Sequence, residues 1–314
     1  MQLFSKTEKL MGNRFVIGVV CDDAQMAEEG LSKAVNEIKR IEQLLSTYQS
    51  NSQINQINDL AGIAPQKVDL EVFQLIQRAQ KISEITQGAF DLTYGSIDKS
   101  LWNFDQSMTQ LPSAELAKKS VELIDFRHIE LNAEDQTVFL KRKGMRMGFG
   151  GIGKGYAADC AKKLLVSLGF ENGLVNASGD MCAWGTQETG ERWKIGIAHP
   201  DDSRKIFAEF DLKNSAAATS GNYEKFVWID GVKYSHTIHP KTGFPIHGIK
   251  SVTVLAPFAE LADVLTTPIA VMGIEVALDL INQIEGVACV IIDDDNKIYT
   301  SKNISLKEHL AFAL

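Results

Sequence analysis

Apolar positions along this chain recur with two periods, and the switches between them lay out its elements. Residues 14–21, RFVIGVVC, form a continuous apolar run of strand length. Leu31, Ala34, Ile38, Ile41 and Leu45 follow at spacings of three and four, which places one apolar stripe on a helix. Val72, Ile76, Ala79 and Ile82 repeat that pattern, and the second helix ends near Gly88. The intervening STYQSNSQINQIN (46–58) is polar and turn-rich, and 89–118 reads as mixed and loop-like around the aromatic island SLWNFD (100–105). TVFLKRKGMRMGF (137–149) alternates about Lys143-Gly144, which predicts a hairpin.

Beyond the glycine cluster at 148–155, Ala157, Ala161, Leu164, Leu165 and Leu168 make a helical stripe that stops at Gly169. GLVNASGD, WKIGIAHP, IFAEFDL, KFVWIDG and SVTVLAP read as strands. AELADVLTTPIAVMG and IEVALDLINQIEG read as helices, and ACVIIDDDNKIYTS as a hairpin closed by its acidic turn. Strands outnumber helices after about residue 130, without steady βαβ alternation, so the fold class is α+β rather than a doubly wound sheet. With no repeat or low-complexity linker, the 314 residues are read as a single domain, 1–314, with two lobes at about 1–130 and 131–314.

Composition narrows the functional classes. The chain is 45% apolar and 23% charged, as in soluble globular proteins. Its net charge of −8 argues against a general nucleic-acid or anionic-membrane binder, while leaving room for a local basic phosphate site. The four cysteines are scattered with no C-x-x-C, and are expected to be buried thiols in a reducing compartment. The first residues contain no apolar signal region or lipidation-type cysteine, and no run reaches membrane-spanning length. The expected localisation is cytoplasmic, unless a leader has been trimmed away.

The candidate chemistry centres on GFGGIGKGY (148–156). Gly148, Gly150 and Gly153 fit the G-x-G-x-x-G of a dinucleotide-binding turn, but the preceding strand reads as the second arm of a hairpin instead of the opening strand of a βαβ unit. Gly148, Gly153 and Lys154 fit a P-loop, except that Gly155 stands where a magnesium-binding hydroxyl belongs. What survives is a backbone able to approach an anion at a helix N-terminus. Lys154 is out of place in that first turn unless an anion offsets it. The alternative is a tight packing turn with a surface lysine. Asp263 and Thr267, four apart on a predicted helix, would share one face and suit a hard cation such as Mg²⁺. Pro268 removes a helix N–H and predicts a kink. YSHTIHPKTGFPIHG (234–248) holds His236, His239 and His247 in a turn-rich segment, where a proton-transfer histidine competes with plain exposed histidines. TSGNYEKF (219–226) brings the hydroxyls of Thr219 and Ser220 and a glycine before a strand, and GAFDLTYG (88–95) sets an aromatic beside Asp91.

Taken in order, MGNRF, LLSTYQSNSQINQIN, GAFDLTYG, GGIGKGYAAD with LVNASGD, ATSGNYEKF, YSHTIHPKTG and SVTVLAPFAELADVLTT resemble one family, the ApbE-type flavin transferases, from about residue 10 to residue 300. The resemblance implies a two-lobed α+β fold with mixed or antiparallel sheets, flanking helices and FAD between the lobes. It implies Mg²⁺ near the FAD pyrophosphate, held by Asp263, Thr267 and the Gly151 carbonyl. Flavin and adenosine contacts would fall on Met11, Tyr48, Ala89, Phe90, Asp91 and Lys154, and His236 would lie near the reacting phosphate. The implied reaction is Mg²⁺-dependent transfer of FMN from FAD to a Thr or Ser hydroxyl of an acceptor protein, with release of AMP. The alternatives are an FAD pyrophosphatase in the same site and a non-catalytic flavin binder, and the retention of Asp263, Thr267 and His236 favours catalysis. The chain departs from the family at Gly148 (often Asp), Gly153 (often Ala), Ser178 (often Gly), His239 (often Asp) and Pro268 (usually a small helix former).

Overall fold

The computed structural model describes residues 1–101, 110–199, 202–221 and 226–304. The chain opens with β1 (Gln2–Leu10) and β2 (Asn13–Cys21), then α1 (Ala24–Leu45), α2 (Gln53–Asp59), β3 (Gln66–Lys67) and α3 (Leu70–Ile85). A 3-10 turn at Leu92–Ser96 and a second at Lys99–Leu101 lead to α4 (Ala114–Ser120), β4 (Ile129–Asn132) and β5 (Thr137–Leu140). Then come α5 (Gly153–Ser167), β6 (Gly173–Ala177), β7 (Asp180–Trp184), β8 (Trp193–His199), β9 (Asp202–Leu212), β10 (Ala216–Gly221), β11 (Phe226–Ile229) and β12 (Val232–Ser235). The order closes with β13 (Ile249–Ala256), α6 (Ala259–Met272), α7 (Ile274–Ile281), β14 (Ala288–Asp293) and β15 (Ile298–Thr300).

The frame is an eight-stranded sheet in the order β1-β2-β6-β7-β10-β13-β14-β15, antiparallel at every pairing. An antiparallel sheet commonly hides one face fully, and α1, α5 and α6 lie across that face here. The fit follows from sequence: Leu31, Ala34, Ile38 and Ile41 on α1 and Ala157, Ala158, Ala161 and Leu165 on α5 are buried against Phe15, Ile17, Val175 and Val254. The opposite face is covered by the β8–β9 ribbon, whose Trp193 and Leu212 pack with Val20, Met181 and Ala217. This two-sided cover explains why β7, DMCAW, is buried along its whole length and shows no alternation. One hydrophobic core runs from Leu10 to Ile291.

The structure departs from the sequence expectations at several elements. The polar stretch 46–58 contains α2, which Ser52 opens by accepting from the Asn55 amide at 3.0 Å. The span 89–118 contains the two 3-10 turns and α4, and residues 102–105 of its aromatic island lie outside the described residues. No hairpin forms about Lys143-Gly144: β5 ends at Leu140 and pairs with β4 and β3. The glycine cluster is therefore entered from irregular backbone, which removes the strand that a dinucleotide turn requires. Thr219 and Ser220 lie inside β10, which ends at Gly221, rather than in a loop; residues 222–225 of that motif lie outside the described residues. Helix α6 runs through Pro268, with the Val264 carbonyl forfeiting its helix donor. Of the cysteines, all four are free, with Cys182 and Cys289 buried and Cys21 and Cys160 only half-buried. No helix among the described residues is long and apolar enough to cross a membrane.

Candidate functional site

The site starts at the crossing of α5 and α6. Asp159 on α5 accepts from the Ala259 and Glu260 amides at 2.9 and 2.8 Å, so it caps α6. Asp263 on α6 returns the bond, accepting from the Gly155 amide at 3.0 Å. Each helix thus offers a carboxylate to the positive N-terminal turn of the other. The crossing is tight enough to dictate residue 155: a Cβ there would lie 2.2 Å from the Ala259 carbonyl oxygen. That is why a glycine interrupts the P-loop pattern, and why the P-loop reading fails on geometry as well as on sequence.

Lys154, one residue earlier, turns toward two buried carboxylates. Its Nζ is hydrogen-bonded to Asp180 Oδ2 and lies 3.3 Å from Asp263 Oδ1. Asp180 is 3% exposed, as is Asp263. Burial, and then the charge of Asp263, push the Asp180 carboxyl above the usual carboxylate range against the pull of Lys154. Burial disfavours the Lys154 ammonium, but Asp263 and Asp180 together outweigh it and hold the lysine firmly protonated. The anion expected to offset Lys154 is supplied by the protein itself.

Asp180 carries no site motif of its own in the sequence. It heads β7 after the turn at Ser178 and Gly179, both at positive φ (54° and 103°). Ser178 thus occupies a left-handed position, which accounts for glycine being common there in the resembling family. β7 pairs with β10, with Met181 opposite Ala217, which brings β10 alongside the strand that Asp180 heads. The Thr219 hydroxyl is hydrogen-bonded to that of Thr253 at 2.9 Å. Ser220 is the next residue on β10, half-buried and opposite Val252.

Gly151 and Thr267 come together as expected. A Cβ on Gly151 would stand 3.8 Å from Thr267 Oγ1 and 3.6 Å from the Phe90 ring. The Asp263 carboxylate and the Thr267 hydroxyl stand one turn apart on α6, with the Gly151 backbone beside Thr267, and would offer oxygen donors only; Asp263 and Asp180 already face the Lys154 ammonium. These residues fit a hard divalent ion such as Mg²⁺.

The other expected contacts surround this centre at different depths. Met11 sits at positive φ in the β1–β2 turn, its Cε 3.4 Å from where a Cβ on Gly153 would be. Ala89 and Phe90 are buried. Asp91 is committed internally: Oδ1 accepts from the Thr93 amide and hydroxyl at 2.8 and 2.6 Å, and Oδ2 from the Phe126 amide at 2.8 Å. It also lines a cavity of ≈ 690 Å³ with Gly88, Phe126, Arg127 and Lys241. Tyr48 is 96% exposed, on a loop that Asn55 braces through the Thr47 and Gln49 carbonyls. His236 follows β12 and is exposed. Its segment is tied to the Phe90 region by the Ile238 amide, which donates to the Tyr94 hydroxyl at 3.0 Å. His239 accepts from the Lys241 amide, and burial lowers its pKa.

The glycine segment is latched from α2. Asn58 accepts from the Met147 amide at 2.7 Å and donates to the Met147 carbonyl at 3.1 Å, both buried. Asn58→Ala is expected to orphan both backbone groups and to lower stability by ~2–3 kcal/mol, read as a shifted urea midpoint at constant m-value. An unchanged midpoint would show that the latch is dispensable. A second carboxylate group, Glu37 and Glu71 with Cys160, is the only metal-like trio among the described residues, but Arg40 bonds both glutamates and Tyr156 donates to Glu71 at 2.5 Å. Burial pushes the Cys160 thiol up to about 12, so that trio is a structural ion pair.

The sequence model of the ApbE family matches residues 11–291. The chain is 31% identical to an FAD:protein FMN transferase of Treponema pallidum, over 92% of this chain and 86% of the relative. It is 30% identical to an FAD:protein FMN transferase of Escherichia coli K12, over 90% and 82%. The crystal structure of the ApbE protein of Thermotoga maritima superposes with a TM-score of 0.85 at 29% identity, covering 96% of this chain and 98% of the other. The apo flavinyl transferase ApbE of Pseudomonas stutzeri superposes at 0.83 with 26% identity, covering 96% and 95%.

Proposed function

Since the chain belongs to the ApbE family, we propose that it is an FAD:protein FMN transferase that acts with Mg²⁺ on a Thr or Ser hydroxyl of an acceptor protein. The observation that carries the reading is the cluster at the α5–α6 crossing, where Lys154, Asp180 and Asp263 meet beside Gly151 and Thr267. Phosphoryl transfer asks a protein for alignment and charge neutralisation more than for covalent help. Mg²⁺ bound to Asp263, Thr267 and the Gly151 carbonyl would supply Lewis-acid stabilisation of pyrophosphate charge.

The chain's own residues do the rest. Lys154 neutralises charge on the phosphates. Phe90 and Tyr48 offer aromatic surface to the ring systems, and Met11 closes over the glycine segment. The acceptor hydroxyl attacks the FMN phosphorus as the bridging phosphorus–oxygen bond to AMP breaks, and His236 takes the hydroxyl proton. His236 is exposed between the buried Ser235 and Ile238, so it would meet an acceptor arriving from the solvent side.

The test is AMP release from FAD with Mg²⁺, with and without a flavin-accepting domain, followed by mass spectrometry of that domain. An FMN-sized mass gain on the acceptor, lost when its Thr or Ser is replaced, is the expected result. AMP with free FMN and an unlabelled acceptor would replace the transferase by a pyrophosphatase. Bound FAD without AMP would leave a flavin binder.

A further inference from the structure

Asp263 has two oxygens, and both are occupied by the protein. Oδ2 takes the Gly155 amide, and Oδ1 faces the Lys154 ammonium at 3.3 Å. The oxygen that a metal ion would use is therefore covered by a positive charge. Asp180 holds the same ammonium from the other side, and its 3% exposure leaves it little access to water as a substitute partner. One ammonium thus serves two carboxyl groups.

Each ligand entering alone meets a like charge at short range in a poorly screened place. A divalent cation meets Lys154, and a pyrophosphate meets Asp180 and Asp263. Entering together, they let charges alternate: Asp263, cation, phosphate, Lys154, Asp180. The lysine side chain is long enough to exchange one anionic partner while keeping the other.

We propose that Lys154 is a placeholder cation on Asp263, retained by the positioning residue Asp180, so that divalent cation and pyrophosphate bind synergistically. The inference rests on the assignment of Asp263 as a metal ligand. When the cation takes Asp263, Lys154 stays with Asp180 and turns its free donors to the phosphate. Linkage makes the effect reciprocal: FAD tightens the cation by the same factor as the cation tightens FAD.

Mn²⁺ binding followed by electron paramagnetic resonance of the free ion, with and without FAD and without acceptor, reads this directly. In the parent protein FAD is expected to lower the Mn²⁺ dissociation constant about tenfold or more, and Mn²⁺ to lower that of FAD equally. Lys154→Met should bind Mn²⁺ alone about tenfold more tightly than the parent, with the coupling factor collapsing below about threefold. Should the methionine variant fail to fold by circular dichroism, Lys154→Gln, which keeps a hydrogen-bond donor for Asp180, carries the same expectation. Independent binding of Mn²⁺ and FAD to the parent, or no gain in Mn²⁺ affinity in a folded Lys154 variant, overturns the proposal. Asp263→Asn separates the two levels: Mn²⁺ binding that ignores this change removes the metal assignment itself, whereas Asp263-dependent binding without synergy removes only the placeholder.

Discussion

Asp263→Asn is expected to lower AMP release from FAD by about 100-fold or more at saturating Mg²⁺, equivalent to ~3 kcal/mol or more of lost transition-state stabilisation. The substitution preserves shape, so the fold should survive. The asparagine has one acceptor oxygen, and the Gly155 amide, buried at the helix crossing, claims it. The amide nitrogen is then left facing Lys154, where an anionic oxygen stood. The site loses the charge that balances a cation and gains a donor set against a donor. A modest fall in melting temperature is expected alongside, because one buried charge-assisted contact is lost while its partner keeps Asp180. The check is the initial rate of AMP formation over a Mg²⁺ titration; a rate within about threefold of the parent would remove Asp263 from the reaction.

Gly155→Ser, which would complete the P-loop pattern, is expected to do the reverse of improving the site. Its Cβ would lie 2.2 Å from the Ala259 carbonyl oxygen, 2.6 Å from that carbonyl carbon and 2.8 Å from Asp263 Cβ. Two of these are backbone atoms at the start of α6 and cannot rotate aside. The helices must separate, at a cost of ~3 kcal/mol or more. Separation also parts Gly155 from Asp263 and Asp159 from the Ala259 and Glu260 amides. Urea denaturation should show a lower midpoint, and Mg²⁺-dependent turnover should fall with it. A variant as stable as the parent would mean that the crossing is not dictated by residue 155.

How much of this was legible in the sequence depends on whether a residue's role is local. Helices α1 and α5 and the β14–β15 hairpin announce themselves, because their apolar periodicity is imposed by a single buried face. Helix α2 does not: in QINQIND only Ile54 and Ile57 mark its apolar side, and the available signal was the capping Ser52. The alternation Met145, Met147, Phe149 does reflect burial, but the backbone between those residues is satisfied by Asn58, Ser96 and Leu92 rather than by a partner strand. A period of two reports which side chains are hidden, and not what the amides bond to. The ApbE-like architecture followed from the ordered motifs, each too short to carry it alone.

At the site, the position of Lys154 in a first helical turn calls for an anion, but nothing local in the sequence shows that α6 and β7 supply it. In the sequence, Asp180 reads as the end of a turn. In retrospect the signal is a carboxylate heading DMCAW, a strand with no exposed position, where an ionised group needs a dedicated partner. Asp91, which the resemblance assigns to the ligand, shows a structural role that the sequence does not reveal: its three internal hydrogen bonds brace the turn that follows Phe90.

The strand order of the large sheet has a consequence for how the molecule comes into being. Lys154, Asp180 and Asp263 sit on segments brought together by the α5–α6 crossing, by the packing of both helices on β7 and by the β7–β10–β13 pairings. None of these contacts is local, so loop-closure entropy must be met before they form, and antiparallel pairings this distant are slow to nucleate. A nascent chain has no partial site to offer: until α6, near the end of the sequence, has docked, Lys154 has no second carboxylate to hold. Competence to bind thus arrives together with completion of the fold, and an incompletely folded chain can neither retain the nucleotide nor modify a partner.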